Sequence, residues 1–355
     1  MTRLIRLAAI VTILALGLAA GTVAAARPAK AKLVTVSLQL KWVAQSQFAG
    51  YFVANDLGYY RKVGLKVNIL NGGPQITPET VVESGKAQFG IDWMASLLHE
   101  RDNGRKIVNI AQIWQETGMR MIAFKSSGIS SIKKFKGHTI GVWPSGNQYQ
   151  FFALMHKLHY NCSVNTFSCA SSTGIKVVQE GFTMDPFLNH QLDVSQAMTY
   201  NELGVVTEPP PSGHGVPKNK LYIFNYNKYG VSMLEDGIFA QPGWLKKHKS
   251  IAVKFLKASV EGWTYVVKHP TKAGELTFKH IPAGTATKGH MIYQAKQVAK
   301  LISAGLKGHP VGWMNPTAYN RTWQEAKQDG VITKTPKGAY DQSYWKAATK
   351  GMKAP

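Results

Sequence analysis

The 355-residue chain has few acidic residues for its size. Its 19 Asp and Glu stand against 42 Lys and Arg, which gives a formal net charge of +23. Such an imbalance can indicate nucleic acid, an acidic surface or an anionic ligand as the partner. The lysines are scattered, however, and no long basic run or RNA-binding signature is present. We therefore expect a basic, solvated surface and no nucleic-acid partner.

The chain also lacks the motifs of common enzyme classes. It has no Gly-Lys-Ser phosphate loop, no dinucleotide-binding fingerprint and no Cys/His spacing typical of a metal site. The Gly-Asn-Gln that follows Trp143 is not a nucleophile elbow. Isolated acids such as Asp92, Glu180 and Glu202 do not define a catalytic pair. These absences favour a binding protein that needs no cofactor over an enzyme.

Long apolar runs are missing after the N-terminus. Arg3 and Arg6 precede an apolar run over 7–20, and small residues follow up to Ala26. This is the pattern of a secretory signal peptide over residues 1–26. The alternative is a membrane anchor, but a spanning helix needs about 20 apolar residues. We expect cleavage near Ala26 and export to the periplasm, without a lipid anchor because no cysteine lies at the cleavage site.

Cysteine is scarce, with Cys162 and Cys169 as the two examples. In an oxidising compartment, a pair so close in sequence favours a disulfide that closes a local loop. Two free thiols are the alternative. The predicted role of the pair is structural.

The first folded segment has the pattern of a βαβ unit. Alternating apolar residues predict a strand up to Leu40, residues 48–54 repeat at helical spacing, and Leu65 begins a second strand. Such a unit favours a parallel sheet with a right-handed crossover. Because ligands of open α/β sheets bind beyond the carboxyl ends of the strands, Trp42 and Gln45 are candidate ligand contacts.

Other aromatic and polar residues also follow predicted strands. They are Asp92, Trp93, Trp143, Asn147, Tyr200 and Glu202. Aromatic faces stack on flat heteroaromatic ligands, while a few polar groups bind the ligand's edge. An acid such as Glu202 or Asp92 can hold the edge of an aminopyrimidine with two hydrogen bonds if the ring is protonated or the acid is neutral. The alternative for each residue is structural, for example an acid that stabilises a helix N-terminus.

Segments LKWVAQSQFAGYFVANDLGYYRKVGL, GGPQITPETVVESGKAQFGIDW and QAMTYNELG carry a resemblance that spans residues 33–344. They resemble periplasmic solute-binding proteins of the nitrate/sulfonate/thiamine-precursor group, above all binders of aminopyrimidine thiamine precursors and their flavin-binding relatives. The resemblance implies a two-lobe α/β fold (type II), in which each lobe is a mainly parallel sheet flanked by helices. It also implies a small-molecule ligand in a cleft between the lobes, and a partner permease with its ATPase.

The size of the mature chain agrees with two lobes, because about 330 residues exceed the usual size of a single core. We place lobe 1 at 33–125 plus 231–345 and lobe 2 at 126–230. The predicted crossovers between the lobes lie near 125–130 and 225–230.

The competing interpretation is an enzyme similar to the fungal-type thiamine pyrimidine synthase, which has the same fold and uses pyridoxal phosphate and its own histidine. This chain departs from that pattern at the deciding positions. Asp92 stands where the cofactor-bonding lysine should be, and Ser96 where the sacrificed histidine should be. The cysteine-rich cluster is absent around Met233. A third possibility is a binder of sulfonate- or nitrate-type anions.

Overall fold

The computed structural model describes residues 32–355, so the predicted signal peptide lies outside the described residues. The strands of this part of the chain are β1 (Val34–Gln39), β2 (Leu65–Leu70), β3 (Phe89–Asp92), β4 (Val108–Gln112), β5 (Met119–Phe124), β6 (Thr139–Val142), β7 (Cys162–Ser163), β8 (Ser168–Cys169), β9 (Lys176–Gln179), β10 (Val194–Met198), β11 (Leu221–Asn225) and β12 (Gly237–Ala240). Its α-helices are α1 (Ala49–Asp56), α2 (Tyr59–Lys62), α3 (Pro78–Glu83), α4 (Met94–Asp102), α5 (Tyr149–Lys157), α6 (Asp185–Leu188), α7 (Glu202–Thr207), α8 (Tyr226–Tyr229), α9 (Pro242–Lys247), α10 (Lys249–Lys268), α11 (Pro270–Phe278), α12 (Lys288–Ser303), α13 (Pro316–Gln328) and α14 (Ser343–Ala348).

The predicted βαβ unit at the start of the fold is confirmed. Strands β1 and β2 pair in parallel from Val34 opposite Leu65, with α1 and α2 between them. Helix α1 packs closely on α10. A Cβ added at Gly50 would lie only 2.1 Å from the Trp263 ring, so the absence of a side chain at Gly50 permits this contact. The loop between β1 and α1 holds two of the predicted site residues, Trp42 and Gln45.

The two large sheets follow one plan. The first has the strand order β2-β1-β3-β12-β4, and the second has the order β9-β6-β10-β5-β11. In each sheet one strand next to the edge, β12 or β5, runs antiparallel to its neighbours. The sheets are thus mainly parallel, as expected, and each belongs to one lobe of a two-lobe α/β fold.

The predicted position of the first crossover is wrong. Strand β5 was expected in lobe 1, but it pairs with β10 and β11 of the second sheet. The chain therefore passes between the sheets at 113–118 rather than at 125–130, and it returns at 226–236, beginning where 225–230 was predicted. Alternating strands and helices do not reveal which sheet an inserted antiparallel strand will join.

A hairpin after α5 contains both cysteines. Cys162 in β7 faces Cys169 in β8, and the two are joined by a disulfide. The bond ties together a short two-stranded sheet in the second lobe, outside the two large sheets.

Helix α10 is amphipathic. Phe255, Leu256 and Trp263 are buried, whereas Lys254 and Lys257 are exposed on its outer face. Within residues 32–355, the structure has no helix whose length and apolar character would suit a bilayer.

Candidate functional site: a cavity between the two sheets

A cavity of about 630 Å³ lies where the strand ends of the two sheets face each other. Its walls include the loops after β1 and β3 from the first sheet and those after β6 and β10 from the second. The structure brings all of the predicted ligand contacts to this cavity: Trp42, Gln45, Asp92, Trp93, Trp143, Asn147, Tyr200 and Glu202. Their role in binding remains a prediction, but their convergence on one cavity follows from the topology.

The wall from the first lobe is organised around an ion pair. Lys41 Nζ lies 2.5 Å from Asp92 Oδ1, and the same oxygen accepts the backbone N–H of Trp93 at 2.6 Å. The ammonium also lies 5.1 Å from the centre of the Trp93 ring. Burial works to lower the pKa of Lys41, but the charge of Asp92 and the hydrogen bond to it outweigh burial and raise that pKa. Lys41 is therefore protonated, and Asp92 holds its ammonium group in place.

Glu79 is buried behind this ion pair, at the start of α3. Neither of its carboxyl oxygens has a donor within hydrogen-bonding distance among the described residues. Burial raises its pKa well above the ordinary value, and the negative charge of Asp92 raises it further. A carboxyl group buried without a donor favours its protonated form, so the ion pair of Lys41 and Asp92 leaves the group of three without net charge.

Trp93 connects this wall to the returning crossover. Its indole Nε1 donates to Asp236 Oδ1 at 2.9 Å, and Gln47 Nε2 donates to Asp236 Oδ2 at 3.0 Å. Burial raises the pKa of Asp236 to about 7, and the hydrogen bond from Gln47 offsets part of that effect. The orientation of the Trp93 ring is thus fixed by a residue of the segment that joins the lobes.

The wall from the second lobe carries two acids with neutral partners. Glu202 accepts from the Met198 N–H at 3.0 Å and from Asn201 Nδ2 at 2.6 Å. Glu180 accepts from the Ser195 hydroxyl and, at 3.0 Å, from the Gln196 N–H. Burial raises the pKa of both acids, that of Glu180 to about 8, although their hydrogen bonds act in the opposite direction. This wall therefore presents carboxyl groups without a lysine or arginine beside them.

The aromatic residues of the cavity differ in their surroundings. Trp42 and Trp143 are half-buried. The Trp42 ring lies 5.5 Å from that of Phe182 across the cleft, and Trp143 Nε1 donates to the Gly181 carbonyl at 2.7 Å, which holds the Phe182 loop. Tyr200 is buried and packs edge-on against a core tryptophan, Trp114. Trp42 and Trp143 are therefore the better stacking surfaces.

The two predicted amide contacts are partly engaged by the protein itself. Gln45 Nε2 donates to Gln47 Oε1 at 2.8 Å, and its Oε1 accepts from Gln294 at 3.2 Å. Asn147 Nδ2 donates to the Pro144 carbonyl at 2.7 Å. Both amide atoms of Gln45 thus bond to neighbouring side chains, whereas Asn147 Oδ1 takes no part in these hydrogen bonds.

The lobes approach each other closely beside the cavity. Gly146 follows β6 with φ of +94°, and a Cβ there would lie 2.3 Å from the Ser96 hydroxyl of the first lobe. Any larger residue would push Ser96 away and would be strained in this backbone conformation. Glycine is therefore what permits the two walls to meet at this point.

Lys41, Glu79 and Phe182 are among the lining residues that the sequence analysis did not predict as site residues. Lys41 precedes Trp42 at the end of a strand, so its position offered a signal. Glu79 follows the first residue of a Pro-initiated helix, where an acid is ordinarily solvated, and its burial has no sequence signal. Phe182 lies in an irregular loop and is 70% exposed.

Acidic residues outnumber lysine and arginine in the cavity lining, which is the reverse of the chain as a whole. Among the described residues, five acids line the cavity, namely Glu79, Asp92, Glu100, Glu180 and Glu202, but a single basic side chain other than histidine does so, Lys41. Lys41 is paired with Asp92, and Glu100 pairs with Arg105 outside the lining. Within the described lining, no lysine or arginine is left free to bind an anion.

The sequence matches the family model described as NMT1/THI5 like over residues 45–273. The chain belongs to this family. It is 28% identical over 272 residues to the riboflavin-binding protein RibY of Chloroflexus aurantiacus, an alignment that covers 74% of this chain and 71% of RibY. It is also 28% identical over 106 residues to the 4-amino-5-hydroxymethyl-2-methylpyrimidine phosphate synthase of Legionella pneumophila, but there the alignment covers 30% of this chain and 34% of the synthase.

The fold is similar to that of solved periplasmic binding proteins. The sulfonate-binding protein SsuA of Methylobacillus flagellatus superposes with a TM-score of 0.63, covering 90% of this chain and 95% of SsuA. The sequence identity of the pair is 13%. At that identity the likeness supports the periplasmic-binding-protein fold and does not extend to the ligand.

Proposed function

We propose that this protein is the substrate-binding component of an ATP-driven importer, and that its ligand is an uncharged, flat heteroaromatic molecule. A flavin and an aminopyrimidine thiamine precursor are the candidates. The observation that carries the proposal is an aromatic cavity between two lobes whose single lysine is already paired with a carboxylate. Membership of the NMT1/THI5-like family and similarity to a riboflavin-binding protein support it.

Anions of the sulfonate or nitrate type fit this cavity poorly. A bound anion needs free cations or unpaired N–H groups, and Lys41, the lysine of the described lining, is already paired with Asp92. The large positive charge of the chain belongs to its surface, where it attracts anions without selecting one.

The cavity volume favours a flavin over a single pyrimidine ring. Pockets for drug-sized ligands have volumes of about 300–1,000 Å³, and this cavity, at about 630 Å³, lies well inside that range. A single ring would leave much of the space to water. Trp42 and Trp143, from opposite lobes, can cover the two faces of a larger fused ring system.

Two features disfavour an enzymatic role: Lys41 is protonated, and position 92, where the related synthase has its lysine, is an aspartate. A Schiff base with pyridoxal phosphate requires a neutral amine. Lys41 is held as an ammonium by Asp92, and Asp92 and Ser96 stand where the related synthase would have its lysine and histidine. We therefore propose no cofactor for this chain.

Export and docking complete the proposal. The predicted signal peptide would place the mature chain in the periplasm, where it delivers its ligand to a permease. We place the second lobe at about residues 119–225, between the two crossovers. The sequence alone had suggested 126–230. Binding would close the lobes by rotation about 113–118 and 226–236, a known mode of ligand capture.

Fluorescence titration of the mature protein tests the function. Trp42, Trp93 and Trp143 line the cavity, so a ligand bound there should change the tryptophan emission. We expect saturable binding of riboflavin, weaker binding of a hydroxymethyl-aminopyrimidine and no binding of methanesulfonate. Calorimetry repeats the titration without the optical overlap of the flavin.

Tight binding of methanesulfonate, together with no binding of either heteroaromatic compound, would refute the proposed function. A Schiff-base absorbance band after incubation with pyridoxal phosphate would instead favour the enzyme.

A further inference from the structure

Resting on the proposed function, we infer that Lys41 determines specificity by selecting ligands that carry an uncharged ring carbonyl at the first-lobe end of the cavity. Asp92 holds the ammonium in place and cancels its charge. The site would therefore bind a keto-bearing heteroaromatic ring and discriminate both against anions and against rings that lack a carbonyl.

The ammonium has unused donors that face the cavity. A lysine side chain has three N–H donors, and Asp92 Oδ1 is the one hydrogen-bond acceptor that Lys41 Nζ has among the described residues. The side chain lines the cavity and retains 13% of its exposure. Water can satisfy the remaining donors in the open cleft. Once a ligand displaces that water, it must provide an acceptor or leave a buried charged group unsatisfied.

The charge balance determines what kind of acceptor fits. Asp92 lies 2.5 Å from Lys41 Nζ and neutralises it, and Glu79 adds no charge because it is fully buried without a donor. An anion would gain little attraction from this neutral group and would be repelled by the carboxylate of Asp92. A carbonyl dipole accepts a charge-assisted hydrogen bond without that repulsion.

Neighbouring residues direct the ligand's edge, rather than its face, towards the ammonium. Trp93 lies beneath Lys41 Nζ, with its ring centre 5.1 Å away, and its indole is fixed by Asp236. Trp42 is the next residue in sequence and offers a stacking face. Because Lys41 and Trp42 line the same cavity, a ring stacked on Trp42 can turn an in-plane atom towards Lys41, and in-plane carbonyl oxygens are among the acceptors of a flavin-type ring.

The chemical consequence is a ranking of ligands. A fused ring with carbonyl groups offers Lys41 oxygen atoms that project beyond the ring edge, whereas a hydroxymethyl-aminopyrimidine offers a hydroxyl and ring nitrogens, whose single lone pairs lie at the ring edge. Sites built to hydrogen-bond one group reject analogues without it far more strongly than apolar pockets reject a missing methylene.

Two variants distinguish the effect of the hydrogen-bond donors of Lys41 from the effect of its positive charge. Asp92→Asn retains the ammonium but removes its neutralising partner. The double variant Lys41→Met with Asp92→Asn removes the donor and keeps the group uncharged, so no carboxylate is left buried alone. Lys66→Met removes one positive charge from an exposed position on β2 and is the matched control. Thermal unfolding verifies that each variant is folded.

Calorimetric titrations with riboflavin, hydroxymethyl-aminopyrimidine and methanesulfonate provide the measurement. We expect the double variant to lose tenfold or more in riboflavin affinity, since hydrogen bonds to charged groups contribute about 1.5–3 kcal/mol. Its aminopyrimidine affinity should change by less than about threefold. Asp92→Asn should gain methanesulfonate binding that the parent lacks, and Lys66→Met should behave as the parent.

The outcomes distinguish this inference from the proposed function. If the parent binds neither heteroaromatic compound, the proposed function fails, and the inference fails with it. If the parent binds riboflavin and the folded double variant binds it equally well, Lys41 does not select the ligand and the inference alone is overturned. An equal loss of affinity for riboflavin and for the aminopyrimidine would also overturn it, because a general packing defect would then explain the change.

Discussion

The two walls of the cavity both contain buried acids, but they compensate them differently. In the first lobe, Asp92 is paired with the ammonium of Lys41. In the second lobe, Glu180 and Glu202 are held by N–H and O–H donors without a cation. One wall therefore offers charged donors and the other offers carboxyl groups. A ligand with acceptors on one edge and donors on the other would be oriented between them.

Because their acids have different partners, the two walls should also respond differently to pH. A carboxyl group beside an ammonium gains from being ionised, whereas a buried carboxyl group with only neutral donors holds its proton over a wider pH range. Glu180, with a pKa of about 8 caused mainly by burial, is the clearest case.

The largest expected effect is on the pH dependence of stability, through Glu180→Gln. The folded-state pKa of Glu180, about 8, lies above its ordinary value of 4.5. Its contribution to stability is therefore fully present below about pH 4.5 and is lost as pH rises towards 8. The variant does not titrate there, so its free energy of unfolding relative to the parent should increase over this window, on the order of 3 kcal/mol. Urea unfolding at several pH values, followed by circular dichroism, measures the change.

Glu275→Gln is the control for this experiment. Glu275 is half-buried in α11, and its pKa is lowered by the hydrogen bond from Lys272 and by the charge of that lysine. Its contribution to stability is present above the unfolded-state pKa and is lost as pH falls below it, so its replacement should leave most of the pH dependence over the window unchanged. If Glu180→Gln and Glu275→Gln gave the same slope, the carboxyl group of Glu180 would be ionised in the folded protein, and the contrast between the walls would be lost.

A smaller effect is expected from the two stacking tryptophans. Trp42→Ala and Trp143→Ala each remove an aromatic face, one from each lobe, and each should lower riboflavin affinity at least about tenfold. Trp42→Phe and Trp143→Phe retain a face and should lose less. Trp323→Ala, in α13 and away from the cavity lining, is the control. Full affinity in both alanine variants would place the ligand elsewhere.

Much of this site could be predicted because strand ends are visible in the sequence. Apolar alternation and helical spacing located β1, β3, β6 and β10, so the residues after them were predicted to meet at one cleft, and they line one cavity. Trp93, Trp143 and Tyr200 are examples of residues whose position follows from topology alone. The likeness to solute-binding proteins pointed to the same edge of the sheets.

The remaining features depend on tertiary contacts. Lys41 and Asp92 are far apart in sequence, and nothing local indicates that they form an ion pair. Glu79 would ordinarily lie in solvent at a helix start, and only the packing of α3 against β3 and β1 buries it. The first crossover was misplaced because β5 joins the second sheet in the antiparallel sense, and its sequence is compatible with either sheet.

The most direct test of the two-wall account is a crystal structure of the mature protein with riboflavin. We predict the fused ring between Trp42 and Trp143, with a ring carbonyl oxygen about 3 Å from Lys41 Nζ and the opposite end of the ligand towards Glu202. A ligand bound outside the cleft, or one whose carbonyl edge faces Glu180 and Glu202 while Lys41 contacts no acceptor, would contradict the account.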